Sequence, residues 1–230
     1  MKQLCGLILS LFLLFIPGKG NSQENPVYPS INVEQASLTR SESQSRMSSV
    51  KVLTDRGYGS GVFVQIERQK VVFTAHHVIE GAETVRVQSE NSVFQGEVIY
   101  SDKENDFAVI AVSENHEIPA MRLRLRTGSL ESMIGTSVHY SGYPAHHSLL
   151  TIRGTIAGMD RGCYILHSYG WMGASGSGVF DENGRLVGIL TAIDFSTSGP
   201  APQLIESIVW IIPISNINMS SIESAIRERL

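Results

Sequence analysis

Cysteine is scarce in this sequence. Two of the 230 residues are cysteines, Cys5 and Cys163. Cys5 lies in an apolar N-terminal stretch that we interpret as a signal peptide, so the mature chain would retain only Cys163 and form no internal disulfide. A small domain held by disulfides is therefore excluded, and the fold has to be stabilised by a hydrophobic core, for which this length is sufficient. We expect Cys163 to be a small buried residue rather than a reactive thiol.

An excess of charge of one sign is also missing. Lys and Arg number 18, Asp and Glu number 22, and the net charge is −4. Because there is no basic block, nucleic acid is not expected as a partner. His139, His146 and His147 would be the candidates for a metal site, but no second cluster of ligands stands at a suitable spacing. We expect neither a metal nor another cofactor.

Long hydrophobic runs are absent except at the N-terminus. The apolar run Leu4–Ile16 follows Lys2 and ends at a Pro-Gly break. It is short for a membrane-spanning helix, which needs about 20 residues. This pattern predicts a signal peptide over residues 1–22, cleaved after Gly20 or Ser22, and hence an exported, periplasmic or secreted protein. An uncleaved membrane anchor is the alternative. Residues 23–48 are polar and rich in Ser and Gln, which predicts a flexible arm.

From residue 49 onward the sequence consists of short runs rich in Val, Ile, Phe and Thr, separated by turn-forming residues. Such spacing is typical of an all-β sandwich or barrel and not of βαβ units. Two series of strands are predicted, over about 50–118 and 122–213. The pair Asn183-Gly184 predicts a tight hairpin between two strands. Ser220 and Glu223 match a capping box, which predicts a short C-terminal helix over about 220–229.

The most unusual local feature is the glycine-rich segment Gly173-Ala-Ser-Gly-Ser-Gly178. Glycines this dense cost chain entropy, so the backbone there has to turn sharply or approach another group closely. One interpretation is a tight turn or bulge between strands. The other is a loop that presents Ser175 as a nucleophile and aims backbone N–H groups at a developing negative charge.

A nucleophilic serine needs a base and a group that orients the base. His76 and His77 follow a predicted strand, and Asp106 stands at the head of the apolar run "FAVIAV". A histidine at a strand exit can face a cleft, although a lone histidine is more often structural. Asp106 could likewise be a surface residue that caps a strand. Taken together with Ser175, the three residues indicate a hydrolytic site.

The segments "TAHHVIEG", "NDFAVIAV" and "GASGSGVFDENGRLVGI" resemble the three motifs of chymotrypsin-like (trypsin-like) serine proteases. The likeness covers about residues 50–215 and is greatest to the bacterial Deg/Htr and glutamyl-endopeptidase types. It implies two six-stranded antiparallel β-barrel lobes. It also implies that His77 rather than His76 is the base, that Asp106 orients it and that Ser175 is the nucleophile. The backbone N–H groups of Gly173 and Ser175 would then form the oxyanion hole.

Departures from the family pattern limit what can be carried over. Ala174 stands where many animal members have an Asp that pairs with a newly cut N-terminus, so we expect no such activation. The residues after Pro213 are too few for a PDZ domain, and we expect none. The pocket for the residue before the cut is predicted to be apolar, with Asp194 as an alternative that would attract Lys or Arg. The predicted pocket residues are Tyr169, Met172, Leu190, Thr191, Ala192 and Ile193.

The sequence thus predicts an exported serine endopeptidase that acts on protein or peptide substrates through an acyl-enzyme. Two other functions stay open at this point. The chain could be a protease-fold binding or scaffold protein of the cell envelope that has no turnover, or an envelope protein that binds partners through the polar arm at 23–48.

Overall fold

The computed structural model describes residues 38–90, 92–112, 118–125, 129–198 and 201–229. The predicted signal peptide and most of the predicted arm lie outside the described residues. Within them the chain forms two antiparallel barrels and three α-helices, which confirms the all-β architecture with two lobes. None of the described helices is long and apolar enough to cross a membrane.

The first barrel contains six strands and closes through the pairing of β1 with β2. Around the barrel the order is β1-β4-β5-β6-β3-β2, and a short β7 adds to β2 in parallel. The strands are β1 (Ser49–Thr54), β2 (Gly57–Ile66), β3 (Gln69–Thr74), β4 (Thr84–Gln88), β5 (Val93–Asp102), β6 (Phe107–Val112) and β7 (Met121–Arg122).

The second barrel is closed as well, in the order β10-β13-β12-β11-β8-β9. Its strands are β8 (Ser137–Gly142), β9 (Leu150–Asp160), β10 (Cys163–His167), β11 (Gly178–Asp181), β12 (Leu186–Ser196) and β13 (Gln203–Pro213). The predicted hairpin at Asn183-Gly184 joins β11 to β12, and Gly184 has a positive φ of 72°. Cys163 is fully buried, as expected of a small core residue.

Side chains alternate along each strand between the interior of its barrel and the contact region between the two barrels, which we call the seam. Phe63 and Ile110 lie inside the first barrel. Their strand neighbours Val62 and Val109 point to the other side and pack with Phe180 of the second barrel. Because side chains alternate across a strand, β2 and β6 are buried on both faces. This explains why "FAVIAV" is apolar throughout, and it brings the two barrels into contact where the polar candidates lie.

The helices are α1 (Arg40–Ser48), α2 (His76–Ile79) and α3 (Met219–Glu228). Three 3-10 turns accompany them, at Leu130–Met133, Pro144–His146 and Ile214–Asn216. In α3, Ile222 and Ile226 are buried against residues of both barrels. The predicted cap at Ser220 is wrong. Asn218 is the N-cap, and its side chain accepts a hydrogen bond from the Ser221 N–H at 3.2 Å.

The end of the predicted flexible arm is instead an ordered helix. Thr39 and Glu42 form a reciprocal capping box at the start of α1. Glu42 is almost fully buried and forms a bidentate ion pair with Arg153 on β9. Ser45, also buried, donates a hydrogen bond to Ser141 on β8 at 3.4 Å. Small polar side chains let α1 approach the second barrel closely, so a helix without an apolar face still packs there.

Candidate active site

The loop after β3 places His77 against Asp106. The backbone N–H of His77 donates to Asp106 Oδ1 at 2.9 Å, and His77 Nδ1 lies 2.8 Å from Asp106 Oδ2. The side chain of His76 has a different partner, because its Nδ1 lies 2.6 Å from Ser101 Oγ. Engagement of His77 Nδ1 by a carboxylate places its proton on that nitrogen and leaves Nε2 as the proton acceptor.

Asp106 is held in an uncommon backbone conformation, with φ of 45°, at the head of β6. Left-handed φ values cost a non-glycine residue about 1–2 kcal/mol, so the surrounding contacts have to impose it. Burial disfavours ionisation of this carboxyl, but hydrogen bonds from His77 and Thr191 outweigh burial and hold the pKa of Asp106 below its ordinary value. Asp106 is therefore an ionised carboxylate beside the imidazole at neutral pH.

Thr191 connects the carboxylate to the serine. Its hydroxyl donates to Asp106 Oδ2, and its carbonyl oxygen accepts from Ser175 Oγ at 3.3 Å. A β-bulge in β12 makes this possible, because Thr191 and Ala192 together face one residue of β13, Trp210. The family resemblance predicts Thr191 as part of the pocket wall. The bulge turns its side chain towards Asp106 instead.

The loop that carries Ser175 runs between the two barrels. Its backbone conformation and its close contacts require glycine at two positions. Gly173 and Gly176 have φ values of 96° and 91°. A Cβ on Gly176 would collide with the Ser60 carbonyl oxygen and lie 3.1 Å from the Ala75 nitrogen, two residues before His77. The Ser60 N–H donates to the Ser175 carbonyl at 2.7 Å. The glycines therefore let the Ser175 loop lie against β2 and the start of α2.

Two amide donors stand free beside the serine. Within the described part of the chain, the N–H groups of Gly173 and Ser175 have no acceptor. The Met172 carbonyl accepts from the Ala145 N–H at 2.8 Å, and the Gly173 carbonyl accepts from Ser60 Oγ at 2.7 Å. Since C=O and N–H point in opposite directions across a trans peptide, the Ala145 contact turns the Gly173 N–H away from Ala145. Paired amides of this kind can stabilise an oxyanion.

The turn that contains Ala145 is strained and was not foreseen from the sequence. Ala145 and His146 have φ values of 51° and 62°. The Tyr58 hydroxyl accepts a hydrogen bond from the His146 N–H at 2.8 Å, and the two rings lie 5.0 Å apart between centroids. No glycine marks this turn, so the sequence carried no signal for left-handed backbone. Strained backbone that is fixed by such contacts clusters at functional sites.

The residues of the predicted substrate pocket differ in exposure. Tyr169 and Met172 are exposed at the surface, while Ala192 and Ile193 are half-buried. The prediction for Leu190 is wrong, because its side chain packs inside the second barrel and is 1% exposed.

Gly170, inside the predicted pocket wall, packs beside Ile193 and Val209. A Cβ on Gly170 would lie 2.6 Å from Val209 Cγ2 and 3.5 Å from Ile193 Cγ1, so the contact there is tight and apolar. The pairing of Ile193 with Val209 in the β12–β13 ladder brings these side chains together. Asp194 Oδ1 accepts a hydrogen bond from the neighbouring Phe195 N–H at 2.8 Å.

The hydroxyl of Ser175 makes no hydrogen bond to His77 in the described region and is bonded to Thr191 O instead. Ser177, two residues on, is fully buried, and its hydroxyl has no partner among the described residues. No group of three His, Cys, Asp or Glu residues that could hold a metal ion occurs in the described part of the chain.

Comparison with known proteins agrees with this geometry. The family model described as a trypsin-like peptidase domain matches residues 59–189. A probable periplasmic serine protease do/HhoA-like from Haemophilus influenzae is 28% identical over 155 residues, covering 64% of this chain and 33% of the relative. Protease Do-like 1, chloroplastic, from Arabidopsis thaliana is 30% identical over 179 residues, covering 70% of this chain and 38% of the relative. The chain thus spans about a third of the length of the curated relatives it matches.

Two solved structures share the fold. A serine endoprotease from Yersinia pestis has 25% identity and a TM-score of 0.65, covering 81% of this chain and 65% of that one. Rv3671c from M. tuberculosis H37Rv, in a mutant and inactive form, has 18% identity and a TM-score of 0.60, covering 83% of this chain and 90% of that one. The second likeness shows the fold alone.

Proposed function

The chain belongs to the trypsin-like peptidase family, and from this premise we propose that it is an exported serine endopeptidase whose triad is Ser175, His77 and Asp106. The observation that carries the proposal is the pairing of His77 Nδ1 with Asp106 at 2.8 Å, close to a serine loop with two unpaired amide groups. The Do-like and HhoA-like relatives support the same reaction class.

In the first half of the reaction, Ser175 Oγ attacks the scissile carbonyl carbon and its proton passes to His77 Nε2. The amides of Gly173 and Ser175 receive the oxyanion, and Asp106 stabilises the resulting imidazolium. The bond from carbon to nitrogen then breaks as His77 returns the proton to the leaving amine. An acyl-enzyme ester on Ser175 results, together with the free amine of the first product.

The second half repeats these steps with water as the nucleophile. His77 Nε2 accepts a proton from water, the hydroxide adds to the ester carbonyl, and the carboxylic acid leaves as Ser175 regains its proton. Because Ser175 Oγ rests on Thr191 O, the first movement in each cycle is rotation of the serine about χ1 towards His77. Such a rotation between staggered states is small in cost.

The predicted pocket residues Ala192 and Ile193 are half-buried and apolar, which favours an uncharged side chain before the cut. The signal-like segment 1–22 and the periplasmic name of one relative support export of the chain. N-terminal sequencing of the exported protein tests this, with a mature terminus after Gly20 or Ser22 as the expected result.

A fluorophosphonate probe tests the nucleophile directly. We expect wild type to gain the mass of one phosphonyl group on Ser175 and Ser175→Ala to gain none. Ser177→Ala is the matched control, since it removes a neighbouring buried hydroxyl and should still be labelled. A folded wild-type protein that is never labelled would contradict the endopeptidase proposal and favour a protein that binds without turnover. The hydrogen bond from Ser175 Oγ to the Thr191 carbonyl also supports that alternative.

A further inference from the structure

A cluster of one lysine and two tyrosines lies beside the proposed oxyanion hole. Lys51 on β1 stands directly opposite Ser60 on β2, so the two side chains share a face of the sheet. Tyr58 precedes Ser60 by two residues and therefore points to the same face. The Lys51 ammonium lies 4.8 Å from the ring centroid of Tyr58 and 5.1 Å from that of Tyr143. The ammonium is thus held over two aromatic faces.

This cluster touches the loop of the nucleophile. Ser60 Oγ donates to the Gly173 carbonyl at 2.7 Å and accepts from the Tyr143 N–H at 2.9 Å. A Cβ on Gly173 would lie 2.7 Å from Tyr58 Cε2 and 2.5 Å from the Tyr143 carbonyl oxygen. Tyr58 and Tyr143 therefore pack directly against Gly173, and the Lys51 ammonium lies over both of their rings.

The positive charge of Lys51 is not paired with a carboxylate of the described residues. Among the described residues Lys51 forms no ion pair. The other charges that act on Tyr143 are Glu90 and Arg46, which have opposite signs. Burial, with a smaller effect of Glu90, raises the pKa of Tyr143 to about 12, so its phenol is neutral. The Tyr143 hydroxyl has no hydrogen-bond partner among the described residues. An ammonium on neutral rings keeps its capacity to bind an anion.

The position of the cluster determines which half of a substrate it meets. The acyl half of a peptide would lie along the strand at Thr191–Ile193, since Ser175 Oγ touches Thr191 there. The leaving half then has to continue across Gly173, towards Tyr58 and Tyr143. We propose that Lys51, Tyr58 and Tyr143 form a subsite that binds an acidic side chain in the first two residues after the cut. This subsite rests on the proposed endopeptidase activity.

Three internally quenched peptides test the subsite. They are identical except for Glu-Glu, Gln-Gln or Lys-Lys at the first two positions after the cut. For wild type we expect kcat/KM to be about five- to tenfold higher for the Glu-Glu than for the Lys-Lys peptide, as for a partly desolvated charge pair. At 1 M salt, where the Debye length is about 3 Å, the ratio should fall towards one.

Variants then test whether Lys51 causes the preference for the Glu-Glu peptide. Lys51→Gln should lose the Glu-to-Lys ratio, and Lys51→Arg should keep it because the positive charge remains. Lys103→Gln is the control for net charge, since Lys103 is highly exposed and pairs with Glu80 instead. Binding of the same peptides to Ser175→Ala supplies a readout without turnover, with the same order of affinity expected.

The outcomes separate the two proposals. If wild type cleaves all three peptides at equal rates, or if Lys51→Gln keeps the wild-type ratio, the subsite is wrong and the endopeptidase activity stands. If no peptide is cleaved and the fluorophosphonate does not label Ser175, the endopeptidase proposal fails and the subsite fails with it.

Discussion

Ala145 donates its backbone N–H to the carbonyl oxygen of Met172 at 2.8 Å, which ties a strained turn to the loop of the proposed nucleophile. The contact matters because the next amide along the chain is the N–H of Gly173. If the Met172–Gly173 peptide rotated by half a turn, its carbonyl oxygen would replace that N–H beside Ser175. Ala145 therefore fixes the peptide orientation on which the proposed oxyanion hole depends.

Tyr58→Phe tests this relationship. The substitution removes the acceptor of the His146 N–H and weakens the hold on the left-handed turn. We expect kcat to fall about fivefold with little change in KM, because one hydrogen bond of roughly 1 kcal/mol is lost and the proposed oxyanion hole is formed less often. Steady-state and single-turnover kinetics on a neutral peptide measure it. Tyr100→Phe, on β5 of the first barrel, is the control, and an equal loss in both variants would argue against the coupling.

Gly173→Ala should depress turnover far more than folding. The new Cβ would lie 2.5 Å from the Tyr143 carbonyl oxygen and displace the Gly173 N–H. We expect kcat/KM to fall about 10²–10³-fold, the cost of one oxyanion donor. Gly162→Ala is a matched control, because Gly162 also has a positive φ, of 80°, but nothing within 4 Å of an added Cβ. Both variants should lose about 1 kcal/mol of folding free energy from backbone strain. Gly173→Ala should lose more through its close contact with the Tyr143 carbonyl, and only Gly173→Ala should lose activity.

The backbone at Gly173 and the backbone at Ala145 differ in how well the sequence could predict them. Gly173 and Gly176 indicated a loop with unusual backbone, because glycine is the residue that adopts positive φ easily, and both have it. Ala145 and His146 share that backbone region without any glycine. Their conformation is imposed by contacts with Tyr58 and Met172, which are distant in sequence. Local patterns carry no record of such contacts.

Two further features could not be predicted from the sequence. One is which side chains of a bulged strand face the core, and the other is a helix made of polar residues. Alternation predicted the strands, but one extra residue at the bulge of Thr191 shifts which side chains face the core. The prediction that Leu190 lines the pocket rests on the family resemblance and not on strand alternation. Helix α1 was missed because its helical period has no apolar side, and its stability depends on the long-range ion pair between Glu42 and Arg153. Pairing of His77 with Asp106 followed from the family resemblance, since neither residue alone indicates a partner.

Thr191→Val tests how the carboxylate is held. The variant keeps the shape of the side chain and removes the hydroxyl that donates to Asp106. A lost hydrogen bond to a charged acceptor costs about 1.5–3 kcal/mol, so we expect kcat/KM to fall about tenfold or more as His77 is oriented less well. The rate should recover in Thr191→Ser, which restores a donor. A Val variant as active as wild type across the pH profile would show that Asp106 needs no support from β12.

Acid stability should report how α1 is attached to the second barrel. The hydrogen bonds and charge of Arg153 lower the pKa of Glu42 from 4.5 to about 2, against the effect of its burial. A carboxyl whose folded pKa is depressed stabilises the native state above its unfolded pKa and loses this contribution as the pH falls through the folded value. The loss attributable to Glu42 therefore lies between about pH 4.5 and about pH 2. Buried His139, whose pKa is lowered mainly by burial, adds acid sensitivity at higher pH.

Glu42→Gln isolates that contribution. We expect the variant to be less stable than wild type at pH 7, with the difference in Tm shrinking steadily from pH 5 to pH 2. The exposed Glu97, paired with Arg229, provides the control, since Glu97→Gln should change Tm little at any pH because exposed ion pairs contribute little. Since the charge of Glu42 also raises the pKa of His139, the difference between wild type and Glu42→Gln includes this coupling to His139 at higher pH. A constant gap between wild type and Glu42→Gln over that range would mean that the burial of Glu42, and not its ionised pair with Arg153, holds α1 on the barrel.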